Sequence, residues 1–153
     1  MGKAEDLFAL AQALADERPE LFEILGPGQG DHESNSFMRD LRTRAARFFG
    51  SNHSEQRISG DNRLAVDFYF REEATVVEVA LSLRNPQGEF ERDILKVLIA
   101  QEAGNEVSRL FFISKPGALV RCSQPSTQAI IAWARRKHSL GIEVHELVSR
   151  HAA

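Results

Sequence analysis

Two stretches, LAVDFYF (64–70) and TVVEVALSL (75–83), stand four residues apart in the chain. Both are rich in β-branched and aromatic residues, and both alternate as strands do. Strand-forming runs this close return on each other as an antiparallel hairpin, because a parallel return needs a crossover of about a dozen residues or more. Along the first run Leu64, Val66, Phe68 and Phe70 share one face; Ala65, Asp67 and Tyr69 share the other. Along the second, Val77, Val79, Leu81 and Leu83 share one face; Val76, Glu78, Ala80 and Ser82 share the other. A two-residue loop (Glu72, Glu73) or a four-residue loop (Arg71 to Ala74) sets Phe68 against Val77, Val66 against Val79 and Tyr69 against Val76. A slip of one residue would turn every side chain over, so the apolar match fixes the register. Asp67 then faces Glu78.

Side chains opposed across two strands have Cβ atoms about 4.5–5.5 Å apart. Two carboxylates at that distance repel. Their neighbours Ala65, Tyr69, Val76 and Ala80 predict partial burial, which raises the cost of unpaired charge. A divalent cation resolves both problems, since magnesium is held by one or two carboxylates plus water and substrate phosphate. The alternative is two acids on a half-exposed sheet face, with Asp67 paired to an arginine and Glu78 at solvent.

The chain has 153 residues, 42% hydrophobic and 27% charged, with a net charge of −3. That is ordinary soluble globular composition, with enough chain for a sizeable core. The expected organisation is a single domain over 1–153, with an N-terminal helix and turn-rich linker (1–36) packed on a core at 37–148. The net charge draws no nucleic acid by itself, so any basic site must be local. The lone Cys122 excludes an internal disulfide and a Cys-based zinc site, and points to a reducing, cytoplasmic setting. The acidic N-terminus lacks the apolar core of a signal peptide, and no apolar run is long enough to span a membrane, so no membrane partner is expected.

Apolar spacing predicts a helix over 4–25, interrupted near Pro19, and another over 37–49 with Phe37, Leu41, Ala45 and Phe48 on one face. GPGQGDHESNS (26–36) reads as a linker. A short strand suits the region of Arg57 and Ile58. A helix is expected over 84–104, with Asn85 as cap, Pro86 first, Glu89 and Glu91 favoured by the macrodipole, and Gly104 as stop. EVSRLFFIS (106–114) reads as a strand, and ALVRC (118–122) suits a short one. STQAIIAWARRKHSLG (126–141) reads as a helix stopped by Gly141, and IEVHELV (142–148) as a last strand. An antiparallel meander followed by βαβ-type crossovers defines an α/β fold, a mixed central sheet with helices on both faces. Trp133 and the phenylalanines are expected in the core, and Cys122 as a small buried residue. Arg39, Arg42, Arg44 and Arg47 suit a solvated face, though they are also placed to contact phosphates. The histidines show no metal-ligand spacing, and neither a glycine-rich phosphate loop nor a nucleophile elbow is present.

VDFYF with Asp67, followed by VEVAL with Glu78, resembles the PD-(D/E)XK nuclease superfamily, the restriction-endonuclease-like fold. Its signature is an Asp on the second strand and Glu-x-Lys on the third. The resemblance spans roughly residues 37–114. It implies an αβββαβ core, magnesium or manganese as cofactor held by Asp67 and Glu78, and phosphodiester hydrolysis with nucleic acid as partner. One position departs: Ala80 stands where the lysine is expected. Some members of the superfamily carry that lysine on the following helix, and Lys96 in ERDILKVL takes this place, on one helical face with Arg92 and Asp93. The same position also suits a solvent-facing lysine. By resemblance the catalytic set is Asp67, Glu78 and Lys96, with Asp40 as a further acid. The departure equally allows a catalytically inactive nuclease-like fold serving as a nucleic-acid or protein-binding module. NPQGEFERDILKVLIAQE with FFISKPG is also similar to a family of uncharacterised bacterial proteins, a likeness that implies no activity.

Overall fold

The computed structural model of the chain describes residues 2–23, 29–81 and 86–150. Along them lie α1 (Lys3–Asp16), α2 (Gln29–Phe49), β1 (Ser54–Gln56), β2 (Val66–Phe70), β3 (Thr75–Ala80), α3 (Glu91–Glu102), β4 (Arg109–Ser114), α4 (Ala118–Cys122), α5 (Pro125–His138) and β5 (Gly141–Glu146). The class is α/β, as expected. The chain divides into two compact units, Met1–Asn52 with Leu147–Ala153, and His53–Glu146. Among the described residues no helix is long and apolar enough to cross a membrane.

In the first unit α1 buries Leu7, Ala11 and Leu14, and α2 buries Phe37, Leu41 and Ala45. A short 3-10 turn at Pro19–Phe22 follows α1, where proline ends the α-helical ladder. Phe48 is exposed and sits edge-on to Phe49, because it falls in the last turn of α2, past the end of the buried stripe. The expected linker is shorter than its composition implies, since α2 already runs from Gln29. Beyond Pro27 no proline interrupts, and each residue added to an existing helix gains a hydrogen bond. Arg44 grips Glu17 with two nitrogens, at 2.6 and 2.8 Å. Arg18 pairs with Asp40 and donates to Ser36. Gln12 ties the C-terminal segment to α1 by donating to the Val148 carbonyl and accepting from its N–H, each at 2.8 Å.

The second unit holds a five-stranded mixed sheet in sequence order. β1–β2 and β2–β3 are antiparallel, while β3–β4 and β4–β5 are parallel. One core joins Val76, Ala80, Leu110, Phe112 and Ile142 of the sheet to Ile94, Val97 and Ala100 of α3, Ala118 and Cys122 of α4, and Ala134 of α5. Each fully buried Leu, Ile, Val or Phe contributes about 1.5–3 kcal/mol. That outweighs any single cap, so the core decides where these helices sit. The first strand lies at Ser54–Gln56, just before Arg57 and Ile58. Asn85 falls outside the described residues. α3 is preceded by a wide turn at Pro86–Phe90, and Gly104 ends it with a positive φ.

Three expectations need correction. ALVRC forms a helical turn, not a strand. The Glu146 carboxylate accepts the N–H groups of Gly117 and Leu119, both at 2.8 Å, and so satisfies donors that a helix start leaves open. Trp133 is 39% exposed, against His138. The small Ala134 faces the core instead, which turns its neighbour to the rim. α5 stops at Ser139, not Gly141. Ser139 adopts a left-handed φ of 51°, its N–H bonds the Arg135 carbonyl, and Gly141 opens β5. Ser139→Gly is therefore expected to raise stability by about 0.5–1 kcal/mol, relieving the Cβ penalty at the helix end. Denaturant midpoints at constant slope check it.

Candidate active site

Phe68 stands opposite Val77, Tyr69 opposite Val76 and Phe70 opposite Thr75. The loop between them is the four-residue one, with a 3-10 turn at Arg71–Glu73 and Ala74 left-handed. One step further in this register, Asp67 faces Glu78, as the side-chain match requires. Asp67 is fixed there by the backbone: its Oδ2 accepts the Val79 N–H at 2.8 Å. A hydrogen bond to a charged group is worth about 1.5–3 kcal/mol net. The side chain is thus held by the strand that carries its partner acid.

Glu78 is 3% exposed, far deeper than a half-exposed sheet face would place it. Its Oε1 is buried. Lys96 Nζ lies 3.0 Å from this atom, so the two meet as an ion pair. Burial, and then the carboxylates of Asp67 and Asp93, push the Glu78 carboxyl well above the ordinary range, with Lys96 opposing them.

Lys96 arrives on α3. Burial of Ile94, Val97 and Ala100 orients the helix and leaves Asp93 and Lys96 on its flank. Phe90 stacks on Phe112 of β4, with ring centroids 5.0 Å apart, and anchors the helix start. The segment before β2 is stitched to the helix. Ser59 Oγ donates to the Lys96 carbonyl at 2.8 Å, and Asn105 donates to the Ile58 carbonyl at 2.7 Å. Lys96 Nζ donates to the Ala65 carbonyl at 3.0 Å and lies 3.1 Å from Asp93 Oδ1. Its side chain is 11% exposed, which excludes a solvent-facing lysine. Burial disfavours the ammonium, but Glu78 and Asp93 outweigh it and hold the Lys96 pKa above its usual value. Burial likewise raises the Asp93 carboxyl, against the pull of Lys96.

These groups line a cavity of about 290 Å³. Four carboxyls, Asp67, Glu78, Glu89 and Asp93, face two cations, Arg92 and Lys96, with Val79 and Ala80 completing the wall. Asp67, Glu78 and Lys96 are therefore brought together. Asp40 is not among them; it belongs to the first unit, where it pairs with Arg18. Asp93 is a further acid in the cavity wall. The signal for it was its position three residues before Lys96 on one helical face. Glu89, expected only to favour the helix start, also reaches the cavity. Among the described residues no group of three or more His, Cys, Asp or Glu side chains is arranged to hold a metal ion. No family model, no characterised protein and no solved structure matches the chain.

Proposed function

We propose that the His53–Glu146 unit is a magnesium- or manganese-dependent phosphodiesterase acting on nucleic acid. Asp67 and Glu78 hold the metal, and Lys96 supplies fixed positive charge. The observation that carries this reading is the place of Lys96, an ammonium delivered by α3 to within 3.0 Å of Glu78 although Ala80 leaves the strand without a lysine. An acid on β2, an acid on β3 and a lysine on the next helix match what the resemblance to the PD-(D/E)XK superfamily implies. The antiparallel β1-β2-β3 meander, followed by α3 and a parallel β4, supports the same reading.

The donor set fits a small hard cation. Asp67, Glu78, Glu89 and Asp93 are oxygen donors, and carboxyls outnumber cations around the cavity. Magnesium keeps several waters and accepts phosphate oxygens, so two carboxylates suffice. Such an ion, when bound, polarises a phosphate oxygen and lowers the pKa of a water. The chain's own residues do the positioning. The Val79 N–H holds Asp67, and Lys96 stands ready where charge develops on the phosphate. Arg92, exposed at the cavity, offers paired donors to a substrate phosphate.

Asp67→Asn keeps an oxygen for the Val79 N–H and removes the charge. The full chain is expected to cleave single- or double-stranded DNA or RNA with magnesium or manganese, and Asp67→Asn to abolish that cleavage. A parent protein inert on all of these substrates would sink the enzymatic reading. One observation favours a second reading: no three-ligand metal group is present among the described residues. A nuclease-like fold that lost catalysis would serve as a binding module. That reading expects labelled nucleic acid to be bound, uncut, equally by parent and Asp67→Asn.

A further inference from the structure

Lys96 Nζ sits among three oxygens, the Ala65 carbonyl at 3.0 Å, Glu78 Oε1 at 3.0 Å and Asp93 Oδ1 at 3.1 Å. Glu78 is the one both the lysine and a metal would use. The Ala65 carbonyl also accepts a hydrogen bond from the lysine. A divalent ion on Glu78 and an ammonium 3.0 Å from the same oxygen repel strongly in a site this buried. Asp93, on the same turn of helix, remains as an anionic partner for the lysine.

We propose that Lys96 is a built-in counter-cation for Glu78, handed over to Asp93 and the Ala65 carbonyl when a divalent metal binds. Asp93 is the positioning residue that keeps the ammonium in the cavity after the exchange. This rests on the metal-dependent reading and adds a competition which that reading does not require.

The test is calorimetric Mn²⁺ binding to the full chain. Lys96→Met removes the competitor and is expected to bind Mn²⁺ about tenfold tighter or more. Arg92→Met is the control, since Arg92 lines the same cavity without pairing to Glu78; it is expected to change affinity by less than about threefold. Asp93→Asn is expected to weaken binding in the parent and to have no effect in the Lys96→Met background, because Asp93 acts through the lysine. Equal gains in Lys96→Met and Arg92→Met, or an Asp93→Asn loss that persists without Lys96, would overturn the exchange. Parent binding with no gain in Lys96→Met would overturn it while leaving the metal reading intact. If neither protein takes up Mn²⁺ at millimolar concentration, the metal reading fails and the exchange with it. Should Lys96→Met not fold, the parent itself decides. Acylation of Lys96, followed by peptide mass spectrometry, is expected to rise severalfold with Mn²⁺; unchanged or reduced labelling overturns the proposal.

Discussion

Lys96→Ala is expected to lower the rate of metal-dependent phosphodiester cleavage by about 10²–10³-fold, the usual cost of removing one preorganised charge from a reacting site. The loss should lie in the chemical step, because the Ala65 carbonyl and Asp93 hold the lysine in the cavity before any substrate arrives. Lys96→Arg is not expected to restore the rate. The space between the Ala65 carbonyl, Glu78 and Asp93 holds a compact ammonium, and a guanidinium is larger and spreads its donors over a plane. Single-turnover cleavage at saturating Mn²⁺ measures the step, with circular dichroism confirming that the variants fold. A rate that survives Lys96→Ala would remove the lysine from the mechanism, and Lys115, just after β4, would be the next cation to vary.

The parts of this site that were legible in the sequence are those set by local pairing. The register that opposes Asp67 to Glu78 follows from matching Phe68 to Val77 and Tyr69 to Val76 across a four-residue loop. The nearness of Asp93 to Lys96 follows from helical spacing. What was illegible depends on distant contacts. The Ala65 carbonyl meets Lys96 where the segment before β2 is bound to α3 through Ser59 and to the loop after α3 through Asn105. Glu78 alternates on its strand like any half-exposed residue, and its near-complete burial comes from α3 lying over it. The turn at Ala118–Cys122 reads as strand by its own residues and becomes helical because Glu146, on the last strand, caps it. In each case a side chain far along the chain supplies the missing partner.

The depth of Glu78 has a consequence for stability. Its carboxyl is raised by burial and by Asp67 and Asp93, so the folded protein binds this proton more tightly than the unfolded chain does. That contribution is fully present below the unfolded value near 4.5 and is lost as pH rises through the folded value. In the absence of metal, stability is therefore expected to fall as pH climbs above about 4.5, with a slope approaching about 1.4 kcal/mol per pH unit for one proton. Glu143 works in the other direction and in another window. The Arg109 hydrogen bond depresses its carboxyl, so its contribution is lost only as pH falls below the ordinary carboxylate range. Glu78→Gln keeps the shape of the side chain, leaves Lys96 to Asp93 and the Ala65 carbonyl, and removes the buried acid. It should flatten the slope above pH 4.5 and make the metal-free protein more stable than the parent at neutral pH. Urea unfolding from pH 4 to pH 8 with chelator present measures it. A parent slope that persists in Glu78→Gln would place the proton elsewhere, and a variant less stable than the parent at neutral pH would mean that the pairing of Glu78 with Lys96 is worth more than its burial costs.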